Sequence, residues 1–357
     1  MKTYIKFLIS TFFKSFIYVL LVLLSLVFIL NLLTELEFFK DINVDVYFTL
    51  LLSFLNSPSM LFEMFPFIFL ITTQMFFIKL FQNKEIEIFK YSGLKNSSII
   101  FVISVIAFII GLAIITLYYN ISSNLKNVYL GLKSNYTKDG KYLAVITQNG
   151  LWIKDEINKK IIMINSSEIK PNKLINNFIT IFNENYISEK NIKSNEIDIS
   201  QNEWIIYKPK IFEKNNYYNQ DIMRLKTSFD YKRIQSLYSN LSSLNIFLLY
   251  ELRENYKRLN YSLTEVDLQI LKLISYPIYL ILMTIFASLI MLNIKKFDST
   301  TIKIAVGLFF SVVIYYISNF FYIMGSTERI PLLMSIFVPL ILLTLTNILM
   351  FRNINEK

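Results

Sequence analysis

The stretch FIYVLLVLLSLVFILNLL, Phe16–Leu33, contains no charged side chain. It approaches the ~20 apolar residues that a helix needs to cross a bilayer's hydrocarbon core. Inside lipid every backbone N–H and C=O must be bonded within the segment, so the stretch reads as a membrane-spanning helix. Five more segments of this kind follow: Leu61–Phe81, Ser98–Tyr119, Ile270–Ile294, Ile302–Met324 and Pro331–Phe351. About 145 mostly polar residues separate the third from the fourth. The predicted fold is an α-helical membrane protein with six transmembrane helices, three before and three after an inserted antiparallel β domain. The boundaries are read as 1–121 for the first three helices, 122–265 for the inserted domain and 266–357 for the last three. The first span lacks a small-residue cleavage site and reads as an uncleaved anchor.

Lysines give the orientation. Lys2, Lys6 and Lys14 precede or open the first span, and Lys79, Lys84, Lys90 and Lys95 surround the second connection. Lys295, Lys296 and Lys303 follow the fourth span, and Arg352 and Lys357 follow the sixth. With six spans these clusters share one side, which the positive-inside rule makes cytoplasmic, termini included. The inserted domain is then periplasmic.

The net charge is +10, of which the inserted domain holds +6 through 21 basic and 15 acidic residues. No dense basic run accompanies it, so nucleic acid is not an expected partner. The chain has no cysteine and no histidine, which removes thiolate chemistry, the serine–histidine–aspartate triad and imidazole metal sites. No cofactor is expected. With 7 glycines and no G-x-x-x-x-G-K-[ST] motif, any ATPase must be another chain.

Val46–Asn56 is apolar but short, and Ser57-Pro58 follows, so it is expected to form an interfacial helix that ends before Pro58. KEIEIFKYSGLKNSS, residues 84–98, predicts a short amphipathic helix on the cytoplasmic side with Ile86, Phe89 and Leu94 on one face. Glu85 and Glu87 in its first turn and Lys90 near its end suit the helix dipole. Gly93 can take the left-handed position that closes it. Such a helix needs a surface to pack against. In the inserted domain YLAVI (142–146), LWI (151–153), KIIMI (160–164), FITIF (178–182) and EWIIY (203–207) read as strands of a sandwich or open barrel. Trp152 reads as a core residue of that sandwich. Residues 243–260 read as one or two helices returning to the membrane. Glu35 and Glu37 read as solvated loop residues. The aromatics Phe309, Phe310, Tyr315, Tyr316, Phe320 and Phe321 on the fifth span either line a lipid cavity or face acyl chains.

These features resemble the lipopolysaccharide-export permeases, the paired F and G subunits of an ABC transporter. The resemblance runs nearly end to end. NSPSMLFEMFPF (56–67) is similar to the family's proline-bearing start of the second span, and KEIEIFKYSGLK (84–95) to its coupling-helix motif. QNGLWIKD (148–155) is similar to the start of the β domain in the G subunit, which the resemblance favours over F. ERIPLLMSIFVPLILL (328–343) resembles the last span with its two prolines. The resemblance implies a second homologous six-span permease, a cytoplasmic ATPase dimer and periplasmic bridge proteins as partners. It implies lipopolysaccharide as cargo and jelly-roll-like β domains that pass it on. By the same resemblance Glu85, Ile86, Phe89, Gly93 and Leu94 would couple to the ATPase. The family often carries cations near the outer end of the first span, where this chain has Asn31, with Lys40 the nearest cation. Asn31, Lys40, Phe309, Tyr316 and Phe320 are the candidate lipid contacts. Two further readings remain at this point: a membrane-anchored scaffold whose β domain binds a partner without transport, and a membrane enzyme using carboxylates. The scarcity of intramembrane charge weakens the enzyme and any proton-driven carrier.

Overall fold

The computed structural model describes residues 3–134, 136, 151–258 and 261–352, apart from 43, 158–159, 171, 185, 214–215, 228, 230, 232–233, 235–239 and 294–299. The predicted strand YLAVI, residues 148–150 of the QNGLWIKD stretch, and Lys295 and Lys296 lie outside the described residues. The chain divides into two compact units, Met1–Lys126 with Thr264–Lys357, and Asn127–Leu263.

Among the described residues six helices are long and apolar enough to cross a membrane. They start with α1 (Thr3–Phe38) and α2 (Val46–Gln82). A short helix α3 (Glu85–Tyr91) leads to α4 (Asn96–Ala113), which runs through a π-helical turn, Ile114–Tyr118, into α5 (Tyr119–Ser134). After the second unit, which includes α6 (Ile246–Arg258), come α7 (Thr264–Asn293), α8 (Thr300–Ser326) and α9 (Leu332–Phe351). Polar residues extend the apolar segments at both ends. The 36 residues of α1 exceed the ~20 that a span needs, so its ends leave the hydrocarbon.

Two expectations are corrected here. First, α2 does not stop before Pro58 but continues through Pro58 and Pro66. Side-chain donors gather around the interruption. Ser53 Oγ donates to the Thr49 carbonyl at 2.8 Å and Ser57 Oγ to the Ser53 carbonyl at 2.6 Å. Tyr118 Oη donates to the Pro58 carbonyl at 2.9 Å. Hydroxyls and neighbouring helices re-satisfy backbone groups near a membrane proline, so a helix can carry one. Second, Glu35 and Glu37 are not loop residues: both belong to α1, and Glu35 is 1% exposed. Val27, Asn31 and Glu35 recur every four residues as a buried stripe on one face of α1.

Asn31 fastens α1 to α2. Its Nδ2 donates to the Ser53 carbonyl at 3.0 Å, and its Oδ1 accepts from Asn56 Nδ2 at 3.0 Å. Interhelical side-chain bonds of this kind are worth about 1 kcal/mol in membranes. Asn31→Ala is therefore expected to lower stability by about 1 kcal/mol, read as a lower unfolding midpoint in detergent. An unchanged midpoint would mean that the pair contributes nothing.

Among the described residues the second unit forms an eight-stranded antiparallel sheet. Its strands are β1 (Leu151–Ile157), β2 (Lys160–Lys170), β3 (Lys173–Phe182), β4 (Ser188–Asp198), β5 (Glu203–Tyr207), β6 (Lys210–Glu213), β7 (Asn216–Asn219) and β8 (Ile222–Lys226). The order is β1-β2-β3-β4-β5-β8, with β6 also on β4 and β7 on β6. β4 serves both branches. Its Glu196–Asp198 end pairs with β5 and its Lys190–Lys193 end with β6. One face is apolar because side chains alternate with period two. Ile153, Ile164, Ile179, Ile192 and Ile211 stand directly opposite one another across β1, β2, β3, β4 and β6, all buried. The neighbouring row on this face is polar and satisfied. The Ser166 hydroxyl donates to Asn177 Oδ1, Asn177 Nδ2 donates to the Leu174 carbonyl at 2.9 Å, and Ser194 Oγ donates to the Tyr207 carbonyl at 2.7 Å.

Alternation also corrects the role of Trp152. With Leu151 and Ile153 turned inward, Trp152 lies on the opposite face and is 51% exposed. The core tryptophan is Trp204, fully buried, whose Nε1 donates to the Phe229 carbonyl at 2.6 Å.

Candidate functional site

The loop between α2 and α4 builds the short helix expected from its sequence. Lys84 enters in the left-handed region at φ 54° and Gly93 leaves at φ 78°. Gly93 has no Cβ and takes that conformation without strain. The Leu94 N–H donates to the Phe89 carbonyl at 2.9 Å, and Ser92 Oγ to the Ile88 carbonyl at 2.6 Å, so the last turn is closed.

The two faces of α3 differ. Ile86 is buried in a cluster with Leu8 and Phe12 of α1, Phe76, Phe77 and Leu80 of α2, Ile99 and Ile103 of α4, and Met291 of α7. Phe89 and Leu94 pack against the same cluster, and the Phe89 ring meets Phe7 edge-on at 6.1 Å. The apolar face of α3 thus rests on the chain's own helices. The opposite face presents Ile88, 60% exposed, and Tyr91, 90% exposed, beside the exposed Glu87 and Lys90. At the junction, Asn83 Nδ2 donates to Glu85 Oε1 at 3.2 Å. Glu85 Oε2 is shielded from solvent and has no hydrogen-bond partner among the described residues.

An apolar helix set, an inserted antiparallel sheet and a short two-faced helix seated on four spans now stand together. The model of the lipopolysaccharide export system permease LptF/LptG matches residues 6–353. The chain belongs to this family. No curated protein matches it. It is a multi-pass inner-membrane protein and a permease component of lipopolysaccharide export.

The permease scatters the residues singled out as lipid contacts. Asn31 is buried between α1 and α2, whereas Lys40 is exposed in the turn after α1. Phe309, Tyr316 and Phe320 form one exposed stripe along α8 with Val312 and Ile323, at spacings of three and four. In α8 the most apolar window is 11% buried, the least of the six spans.

A charged group at the other end of the helices was only half visible in the sequence. Lys272 of α7 binds both carboxylate oxygens of Glu63 on α2, at 2.8 and 3.1 Å, and lies 5.6 Å from the centre of the Tyr322 ring on α8. Beneath it Tyr276 Oη donates to the Phe62 carbonyl at 2.5 Å, and the two rings stack at 4.8 Å. Lys272 thereby ties three helices together. A lysine near the start of one apolar segment and a glutamate in another are a signal for such a pair, because ionisable groups at membrane depth rarely stand alone.

Proposed function

We propose that the chain is the G-type permease subunit of an ATP-driven exporter. It pairs with a second homologous six-helix permease on a cytoplasmic ATPase dimer. ATP binding squeezes lipopolysaccharide out of the membrane, and the β unit passes it to periplasmic bridge proteins. The lysine distribution supports termini in the cytoplasm and a β unit in the periplasm. The chain has no catalytic role in this reading. The LWIKD run that opens β1 supports the G type.

The observation that carries the proposal is the two-faced helix α3. Glu85 and the exposed Ile88 and Tyr91 meet the ATPase. Ile86, Phe89 and Leu94 transmit its movement to α1, α2, α4 and α7, on which they are already packed. A close-packed interior resists compression and passes displacement on. The unpartnered Glu85 Oε2 suits a donor or cation from the ATPase, because a shielded carboxylate oxygen is costly until it is bonded. The aromatic stripe of α8 faces acyl chains or the partner permease.

A mild-detergent pull-down tests this. Wild type should co-purify an ATPase and a second six-span chain. Glu85→Lys should lose the ATPase, and Tyr91→Ala should weaken its retention by about tenfold, as truncation of a central aromatic anchor does. Both should keep the second permease. Equal ATPase recovery from all three would sink the coupling role. A protein isolated without any ATPase would favour the scaffold reading.

A further inference from the structure

The exposed face of the sheet carries one cross-strand row that departs from the rest. Trp152, Asn165, Phe178, Lys193, Lys210 and Asn219 stand directly opposite one another across β1, β2, β3, β4, β6 and β7. Adjacent strands lie about 5 Å apart, so the row is a line of six side chains crossing the sheet. Trp152 is 51% and Phe178 45% exposed. Lys193, Lys210 and Asn219 are exposed too. Asn165 Nδ2 donates to the Leu151 carbonyl at 3.3 Å.

The lysines are the unusual feature. Three other lysines of this sheet meet acids: Lys160 with Glu189 at 2.7 Å, Lys173 with Glu196 at 2.6 Å, and Lys190 with Glu213 at 3.2 Å. Burial works against the charge of Lys190, yet its bonds to Glu213 and Tyr218 outweigh that and hold its pKa above the ordinary lysine value. Lys193 and Lys210 instead oppose each other, and neither pairs with an acid among the described residues. Like charges directly opposite on a sheet repel. An anion bound between them removes that repulsion.

We propose that this row binds a phosphorylated saccharide. Lys193 and Lys210 hold a phosphate, Phe178 and Trp152, two strands apart, stack on sugar rings, and the amides of Asn165 and Asn219 line the same track. Charge complementarity selects the phosphate. An amide between two aromatic faces, with lysines and a second amide continuing the row, selects a saccharide over a bilayer, which would meet a continuous apolar band. Aromatic side chains combine a large apolar face with tolerance for a polar neighbour, which suits a sugar's C–H face. The inference rests on the export reading only for the natural source of the ligand, the phosphorylated sugar headgroup of the cargo.

The chain's 2 tryptophans make the test direct, because Trp152 is exposed and Trp204 is buried. Full-length protein in phosphatidylcholine nanodiscs, without ATPase or nucleotide, is titrated with deacylated glucosamine disaccharide bisphosphate while tryptophan emission is read. A saturable change is expected, absent in Trp152→Phe, where Trp204 supplies the baseline. Lys193→Gln with Lys210→Gln should weaken binding by about tenfold or more, and the unphosphorylated disaccharide should do likewise. No saturable change would overturn the proposal. So would inorganic phosphate acting at the same midpoint, which marks a bare anion site. Phosphatidylglycerol vesicles acting where the disaccharide does not would mark a membrane-docking face instead. Failure here leaves ATPase recovery untouched, and lost ATPase recovery leaves this titration unchanged, so the two readings fall separately.

Discussion

Ile192→Asp is expected to unfold the β unit while the six helices still insert. Ile192 is the fourth of five isoleucines in the buried cross-strand row, flanked by Ile179 on β3 and Ile211 on β6. A carboxylate there has no donor on either side and must stay desolvated or drive the strands apart. Burying an unpaired charge is among the few substitutions that cost more than about 4 kcal/mol, comparable to a small domain's whole stability. The readout is Trp204, whose indole is buried against the Phe229 carbonyl. Its emission should shift to that of a solvated indole in Ile192→Asp, and trypsin should cut within 127–263. Asn195→Asp places the same charge on an exposed position of β4 and should stay within about 0.5 kcal/mol of wild type. A native Trp204 signal in Ile192→Asp would show that the isoleucine row is not the core of the unit.

The same strand shows where sequence reading stops. Helices such as α1 were legible because a run without charge has one stable solution in lipid. Strands β1, β2, β3 and β5 were legible from β-branched and aromatic runs. β4, SEKNIKSNEID, joins both branches of the sheet yet reads as loop, because its inward positions include Lys190 and Ser194 beside Ile192 and Ile197. Its polar inward residues are satisfied only by partners distant in sequence, Glu213 and the Tyr207 carbonyl. The proline signal at Pro58 failed for a related reason: the bonds that hold the helix in place there include one from Tyr118, distant in sequence. In the candidate site, periodicity found the apolar face of α3 but could not say what covers it. Ile86, Phe89 and Leu94 would look the same against a partner as against Leu8 and Phe76. Trp152 misled because size suggested core, while alternation with Leu151 and Ile153 decided otherwise.

Gly325→Ala is expected to wedge three helices apart. A Cβ at Gly325, near the end of α8, would lie 2.5 Å from Ser335 Cβ of α9 and 3.5 Å from Leu268 Cδ1 of α7. Ser335 cannot swing away: its Cβ is fixed to the backbone, and its hydroxyl is bonded to the Leu332 carbonyl at 2.6 Å. The backbones must therefore move, and such overpacking costs about 1–3 kcal/mol. The displaced element is α8, the span least held by its own chain, with the exposed stripe of Phe309, Tyr316 and Phe320. Export should fall more than stability does, because the acyl-facing surface shifts with the helix. Gly131→Ala is the control. It makes the same exchange within α5 where a Cβ meets nothing within 4 Å, so it should be neutral or raise stability by up to about 1 kcal/mol. Ser335→Gly removes the atom that the alanine would strike. Combined with Gly325→Ala it should restore export to near that of Ser335→Gly alone, a coupling of about 1–3 kcal/mol in a double-mutant cycle of unfolding midpoints. Additive effects of the two substitutions would mean that α8 and α9 do not meet at Gly325 in the working permease.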